Sequence, residues 1–190
     1  MEVVELVTEL YTDGGCRNNP NGIGGWGVVV VRKGKRAETY NGAFEAASNN
    51  QMELMAVIRG LEMVPADQDV IVWTDSAYIV NCFKQEWWKA WVRRGWKKYS
   101  GDPVKNQALW IRLLHLVFVK RKNSKTVFKH VKGHSGNRYN EMADALVQHA
   151  INGVISGSRV PEKSFDFHDG EFMIWGVTDV EEGRKEEAYA

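Results

Sequence analysis

"DVIVWTD" (Asp69–Asp75) is the stretch on which the fold turns. Its short, nearly continuous apolar run matches a central parallel strand buried on both faces. Parallel neighbours need helical crossovers, and the flanking sequence supplies them. Upstream, "SNNQMELMAVIRGLEMV" opens with Ser48 three residues before Gln51, a capping-box pattern. Met52, Met55, Val57, Leu61 and Val64 then keep helical spacing as far as Pro65. Farther upstream, three strands are predicted as an antiparallel meander. The first is the apolar run around Val3, Val4, Leu6, Val7 and Leu10, ending at Asp13-Gly14-Gly15. The others are Gly22–Arg32 and Arg36–Ala46. Asp-Gly is a strong turn signal, so a hairpin turn is the local expectation at Asp13.

Downstream of the central strand, a helix is predicted over Ser76–Lys84, followed by a Trp-rich basic segment. Another helix is expected after it, with Asp102 placed to cap and Pro103 at the first helical position. "KTVFKHV" (Lys125–Val131) reads as the last strand. The loop "KGHSGNR" leads into the amphipathic "YNEMADALVQHAI". The order is βββαβα(α)αβα, which calls for an α/β fold: a mixed sheet flanked by helices.

The 190 residues suffice for one sizeable core and an appendage. No apolar run approaches the ~20 residues that span a bilayer, so no membrane association is expected. Glu2 and Glu5 replace the basic start of a signal peptide. Cys16 and Cys82 form no CxxC pair and no disulfide framework, so a cytoplasmic location is expected. The net charge of +1 hides an asymmetry. Residues 1–159 carry 22 Lys and Arg against 15 Asp and Glu; residues 160–190 carry three against nine. A basic body suits a polyanionic partner, and a merely solvated surface fits the count as well.

Four acids stand out. If the first and fourth strands lie parallel and adjacent, Asp13 and Asp75 project from one carboxyl edge, where open α/β sheets place ligands. Glu53 is flanked by Met52, Leu54 and Met55. Asp144 is flanked by Met142, Ala143, Ala145 and Leu146. Asp75 before Ser76 also fits a helix cap, and Glu53 and Asp144 also fit helix-face charges. Acids set among apolar neighbours pair with cations or bind metal, and spacing alone leaves both open.

The ordered motifs "YTDGG…NP", "SNNQMELMA", "WTDS", "GWKK…PVKN" and "VKGHSGN…NEMADALV" resemble type 1 ribonuclease H throughout residues 1–151. The resemblance implies a five-stranded mixed sheet with flanking helices and hydrolysis of the RNA strand of RNA–DNA hybrids. It implies Asp13, Glu53, Asp75 and Asp144 as the active-site carboxylates, and His134 as an aid to proton transfer or product release. Oxygen-only donors select hard ions, Mg²⁺ with Mn²⁺ as a substitute. Two such ions clamp an in-line displacement. Asp13 is expected to bridge both, Asp75 and Asp144 to favour one each, and Glu53 to hold an ion or its water. Products should carry 5′-phosphate and 3′-hydroxyl ends. Without metal, at least one carboxyl pKa should rise.

Hybrid recognition is assigned by the same resemblance. Cys16, Asn19, Ser48, Asn49 and Asn50 are small neutral groups suited to a minor groove bearing 2′-hydroxyls, though helix capping also accounts for Ser48–Asn50. "KQEWWKAWVRRGWKK" (Lys84–Lys98) corresponds to a basic protrusion gripping the DNA strand, with Trp91 near a phosphate channel and Arg93, Arg94, Lys97 and Lys98 as cations. An amphipathic helix with its Trp side inward fits that segment as well. Lys132 joins the substrate-binding set. The family often carries glutamine where this chain has Ala77, so one polar contact to the hybrid is expected to be missing. A DNA-cleaving relative of the superfamily, a detached ribonuclease H domain of a reverse transcriptase and a non-catalytic hybrid-binding module are the competing readings; the groove residues argue against the first, and retention of all four acids against the third.

Residues 152–190 have no counterpart in the family pattern and are expected to form an acidic extension to a catalytic domain of residues 1–151. "SGSRVPEK" reads as a linker. A hairpin is expected at residues 164–176, where Asp169-Gly170 is flanked by alternating apolar residues. It would pack on the body, a second copy or a partner, the body being the favoured choice. A monomer is expected.

Overall fold

The computed structural model describes residues 7–163. Five strands form one mixed sheet: β1 (Thr8–Cys16), β2 (Gly22–Val31), β3 (Glu38–Ala47), β4 (Val70–Thr74) and β5 (Thr126–His130). Their spatial order is β3-β2-β1-β4-β5. β1 pairs antiparallel with β2, and β2 with β3, while β4 lies parallel between β1 and β5. The helices are α1 (Asn49–Glu62), α2 (Ala77–Lys84), α3 (Trp87–Arg93), α4 (Gln107–His115) and α5 (Arg138–Ile155); Leu116–Lys120 extends α4 by one wider turn. No helix among the described residues is long and apolar enough to cross a membrane.

α1 starts where its capping box places it. Ser48 Oγ accepts from the Gln51 amide at 3.3 Å, and the Ser48 amide donates to Gln51 Oε1 at 2.9 Å. Its apolar face packs on β1 and β2. Together with α2, α3 and α4 it encloses the larger core, in which Leu54, Met55, Ile58, Trp110 and Leu113 are fully buried. α5 lies on the other face, over β1, β2 and β3. It leaves the matching face of β4 half-covered: Val70, Val72 and Thr74 are buried, but Ile71 and Trp73 are only partly so. The expected burial of this strand on both faces is therefore met on one face alone.

Two local signals are overridden. Asp13-Gly14-Gly15 does not turn; all three remain in β1, opposite Gly27, Trp26 and Gly25. The chain turns later, over residues 17–21. Asp102 and Pro103 do not open a helix either. Pro103 pairs with Lys97 in an isolated antiparallel bridge, and the Asp102 carboxylate accepts from Ser100 Oγ at 2.7 Å. α4 begins only after Asn106.

α5 runs past residue 151, and the segment read as a linker is fastened to the sheet edge. Arg159 Nη2 donates to Asn41 Oδ1 at 2.9 Å. The Glu162 amide donates to the Ala43 carbonyl, and the Glu45 amide to the Glu162 carbonyl, each at 2.8 Å. Arg59 faces the Glu162 carboxylate at 3.4 Å. An exposed strand edge is a pairing hazard, and these bonds cover part of it. The hairpin expected at residues 164–176 and the acidic end lie outside the described residues.

Candidate active site

Four segments distant in sequence meet at the carboxyl edge of β1 and β4. Asp13 sits in β1 near its end, and Asp75 directly follows β4. Parallel pairing of Tyr11 with Trp73 and of Thr12 with Thr74 sets the two acids side by side. Close backbone approach brings in the others. A Cβ on Gly14 would lie 2.1 Å from the Met52 carbonyl carbon and 2.2 Å from the Glu53 nitrogen, so glycine is required for α1 to pass there. A Cβ on Gly27, the residue paired with Asp13, would lie 2.5 Å from the Ala143 oxygen. These contacts press the Glu53 and Asp144 helices against the strand that carries Asp13.

The electrostatics register that crowding. Burial, then the charges of Asp75, Asp144 and Glu53, push the Asp13 carboxyl up to about 7, against a 2.8 Å hydrogen bond from the Gly14 amide. Burial also raises Glu53, with Asp75 adding to it and the Ser76 hydroxyl opposing. Burial raises Asp75 as well, aided by Asp144 and opposed by its own backbone amide, His130 and His134. The expected rise in at least one carboxyl pKa is met at three positions.

The RNase H family profile matches residues 6–152. The ribonuclease H of Chlorobaculum parvum is 42% identical over 148 residues, covering 78% of this chain and 97% of that protein. The ribonuclease H of Pseudomonas entomophila is 42% identical, covering 77% and 94%. The chain belongs to the ribonuclease H family. A solved structure of LC9-RNase H1, a type 1 RNase H with the type 2 active-site motif, superposes with a TM-score of 0.66 at 30% identity, covering 80% of this chain and 75% of that one. Ribonucleases H hydrolyse the RNA strand of RNA–DNA hybrids, and this chain is an endoribonuclease of that family.

Among the described residues, no three His, Cys, Asp or Glu side chains already form a chelating group. The donor set nonetheless fits magnesium, which is bound through one or two carboxylates plus waters and substrate phosphates rather than a complete protein cage. Mutual repulsion in a desolvated corner is relieved by a cation. His134 is exposed at φ +51° on the loop after β5, and the adjoining Gly133 lies against the Asp75 carboxylate. Lys132 is exposed on the same loop. His130, which the sequence reading did not single out, places Nε2 3.1 Å from the Asp75 carbonyl. Only the parallel β4–β5 register, pairing Thr74 with His130, reveals it.

In this ribonuclease H the small neutral residues between β1 and α1 do structural work. The Cys16 amide donates to Asn49 Oδ1 at 2.8 Å, and the Asn49 amide donates to Asn19 Oδ1 at 3.0 Å. Cys16 Sγ donates to the Ala47 carbonyl at 3.1 Å. These bonds tie the turn after β1 to the start of α1. Asn49 and Asn50 remain exposed at that helix start, and Ala77 is exposed at the start of α2.

The basic segment turns its tryptophans inward and leaves its cations in solvent. Trp88 is buried, and Trp87, Trp91 and Trp96 pack against the core. Trp91 meets Trp110 edge-on at 5.3 Å and Trp96 at 6.2 Å. Arg93, Arg94, Lys97 and Lys98 are all exposed.

Proposed function

We propose that Asp13, Glu53, Asp75 and Asp144 hold two divalent ions, Mg²⁺ with Mn²⁺ as substitute, for hydrolysis of the hybrid's RNA strand, leaving 5′-phosphate and 3′-hydroxyl ends. The observation that carries this reading is the convergence of four acids from separate segments on one sheet edge, where the β1–β4 register and the close passage of α1 and α5 bring them to Asp13. Bound there, the ions would lower the pKa of an attacking water and neutralise the leaving oxygen. The chain's own groups do the rest. The rigid β1–β4 pairing orients Asp13 and Asp75. The His134 imidazole, exposed on the loop after β5, exchanges protons between the site and bulk water. Asn19, Asn49, Asn50, Ser48 and Cys16 face the minor groove, where the 2′-hydroxyl distinguishes RNA. Arg93, Arg94, Lys97, Lys98 and Lys132 neutralise phosphates, and Trp91 lies near a phosphate channel. The enzyme acts as a monomer in a reducing cytoplasm, in keeping with its free Cys16 and Cys82 thiols.

The test is cleavage of an end-labelled hybrid, and of duplex DNA of the same sequence, with Mg²⁺. Wild type should cut the hybrid alone. Asp13→Asn should lose at least about 100-fold in kcat, as expected for losing an electrostatic stabiliser, while retaining hybrid binding in chelator. Equal activity of the two proteins would overturn the mechanism. Replacing Arg93, Arg94, Lys97 and Lys98 by alanine should lower the slope of log Kd against log salt by about three to four units. An unchanged slope would remove the protrusion from the interface.

A further inference from the structure

The exposed basic segment ends in a small, firmly built arm whose tip is aromatic. Lys97 and Pro103 form an isolated antiparallel bridge, the Lys98 amide donates to the Asp102 carbonyl at 2.7 Å, and the Gly101 amide donates to the Lys98 carbonyl at 3.0 Å. Ser100 Oγ closes the turn on Asp102 Oδ2 at 2.7 Å. The root is anchored in the aromatic core: the Trp96 amide donates to the Trp91 carbonyl at 2.7 Å, and the Val104 amide to the Trp96 carbonyl at 2.9 Å. At the tip, Tyr99 is 91% exposed. The Arg94 guanidinium lies 5.1 Å from its ring centroid.

Apart from the Arg94 guanidinium, a ring this open touches little of the fold, whereas the turn that carries it is ordered by several hydrogen bonds. Ordering a contact group before binding lowers the entropy lost on binding. A flat aromatic face beside a guanidinium, within a run of cations, suits a nucleotide base: the ring stacks and the cations hold the adjoining phosphates. A base inside a duplex is already stacked on both faces, so along a continuous hybrid the ring finds no free face, whereas an unpaired flanking nucleotide offers one.

We propose that Tyr99, with Arg94 behind it, is a stacking platform for an unpaired nucleotide flanking the hybrid, so that the enzyme favours hybrids that continue into single-stranded DNA. This rests on the reading of the basic segment as part of the nucleic-acid interface. It goes beyond that reading by giving the arm a preference among substrates rather than a general grip. The platform is specific to the ring: the phenolic hydroxyl is not needed, and the stacking carries no charge.

The test measures, in chelator and by fluorescence anisotropy, the affinity of the full chain for a blunt labelled hybrid and for the same hybrid with an eight-nucleotide single-stranded DNA flank at either end. Wild type should bind one of the flanked forms about tenfold more tightly than the blunt one, the scale of a single base stacked on an aromatic side chain. Tyr99→Ala should lose that preference, and Tyr99→Phe should keep it. The salt slope of Tyr99→Ala should equal that of wild type, because no charge is removed. Under Mg²⁺ the alanine variant should raise KM for the flanked substrate more than it lowers kcat. Equal wild-type affinity for all three probes, or an undiminished preference in Tyr99→Ala, would overturn the proposal while leaving hybrid cleavage intact. Failure of wild type to bind or cleave any hybrid would overturn the functional reading as well.

Discussion

Two charged sites, one partly buried and one fully buried, lie at opposite ends of the central strands, and they handle charge in opposite ways. At the carboxyl edge of β1 and β4, Asp13, Glu53, Asp75 and Asp144 are gathered with too few donors, and three of their carboxyl pKa values rise as a result. At the start of β4, Arg121 is 1% exposed and its donors are well used. Its Nη1 donates to the Val64 and Pro65 carbonyls at 3.0 and 3.1 Å, its Nη2 to the Gln68 carbonyl, and its Nε to Thr126 Oγ1 at 3.3 Å. Burial lowers the Arg121 pKa, while Asp69 and Asp67 oppose the fall. A buried charge is tolerated when its hydrogen bonds are satisfied and is costly when they are not. The arginine node thus serves the fold, closing the turn between α1 and β4. The acid edge leaves its charges short of partners, at a cost to the stability of the fold.

Asp13→Asn breaks the contrast at its strongest point. The folded carboxyl holds its proton up to about pH 7, whereas the unfolded chain releases it near the ordinary 3.8. Metal-free wild type should therefore lose stability as pH climbs from about 4 to 7 and level off above. The amide has no proton to lose, so at pH 8 the variant should exceed wild type by about 4 kcal/mol, an advantage gone near pH 4. Urea unfolding at the two pH values, in chelator, measures it. A variant less stable than wild type at pH 8 would refute the claim that these acids strain the fold.

Arg121→Met should act in the reverse direction. Removing the guanidinium strands several buried carbonyls at about 1–3 kcal/mol apiece, for a net loss of about 3 kcal/mol after partial rehydration. The loss should be nearly flat between pH 4 and 8 and should leave kcat unchanged in protein that is still folded. Loss of activity without loss of stability would abolish the division between the two sites. Ser48→Ala is the mildest case, because it involves no charge. It removes an acceptor at the start of α1 and should cost about 1 kcal/mol, measured as a shift in the urea midpoint.

Much of this was legible in the chain. The capping box at Ser48, the apolar period of α1 and the run of β4 each reflect a preference decided within a few residues, and each element formed where expected. The acids stood out because Glu53 and Asp144 sit among apolar neighbours. Misreadings arose where a local preference competed with a distant contact. Asp13-Gly14-Gly15 has turn chemistry, but pairing with β2 and the close passage of α1 use its glycines inside a strand. Asp102-Pro103 has helix-start chemistry, but the aspartate is taken up by the turn at Ser100. The segment after α5 looks like slack chain until the β3 edge it bonds to is in view.

The sequence by itself determined the element order, the mixed sheet and the family, because periodicity, capping and motif wording are properties of neighbouring residues. Only the tertiary structure decided that β4 is fully covered on one face, that His130 stands beside Asp75, that the tail begins as a strap on β3 and that Tyr99 is held out from a rigid arm. Each of these depends on which surfaces compete for the same backbone groups and the same space. That competition is settled only when segments tens of residues apart are packed together.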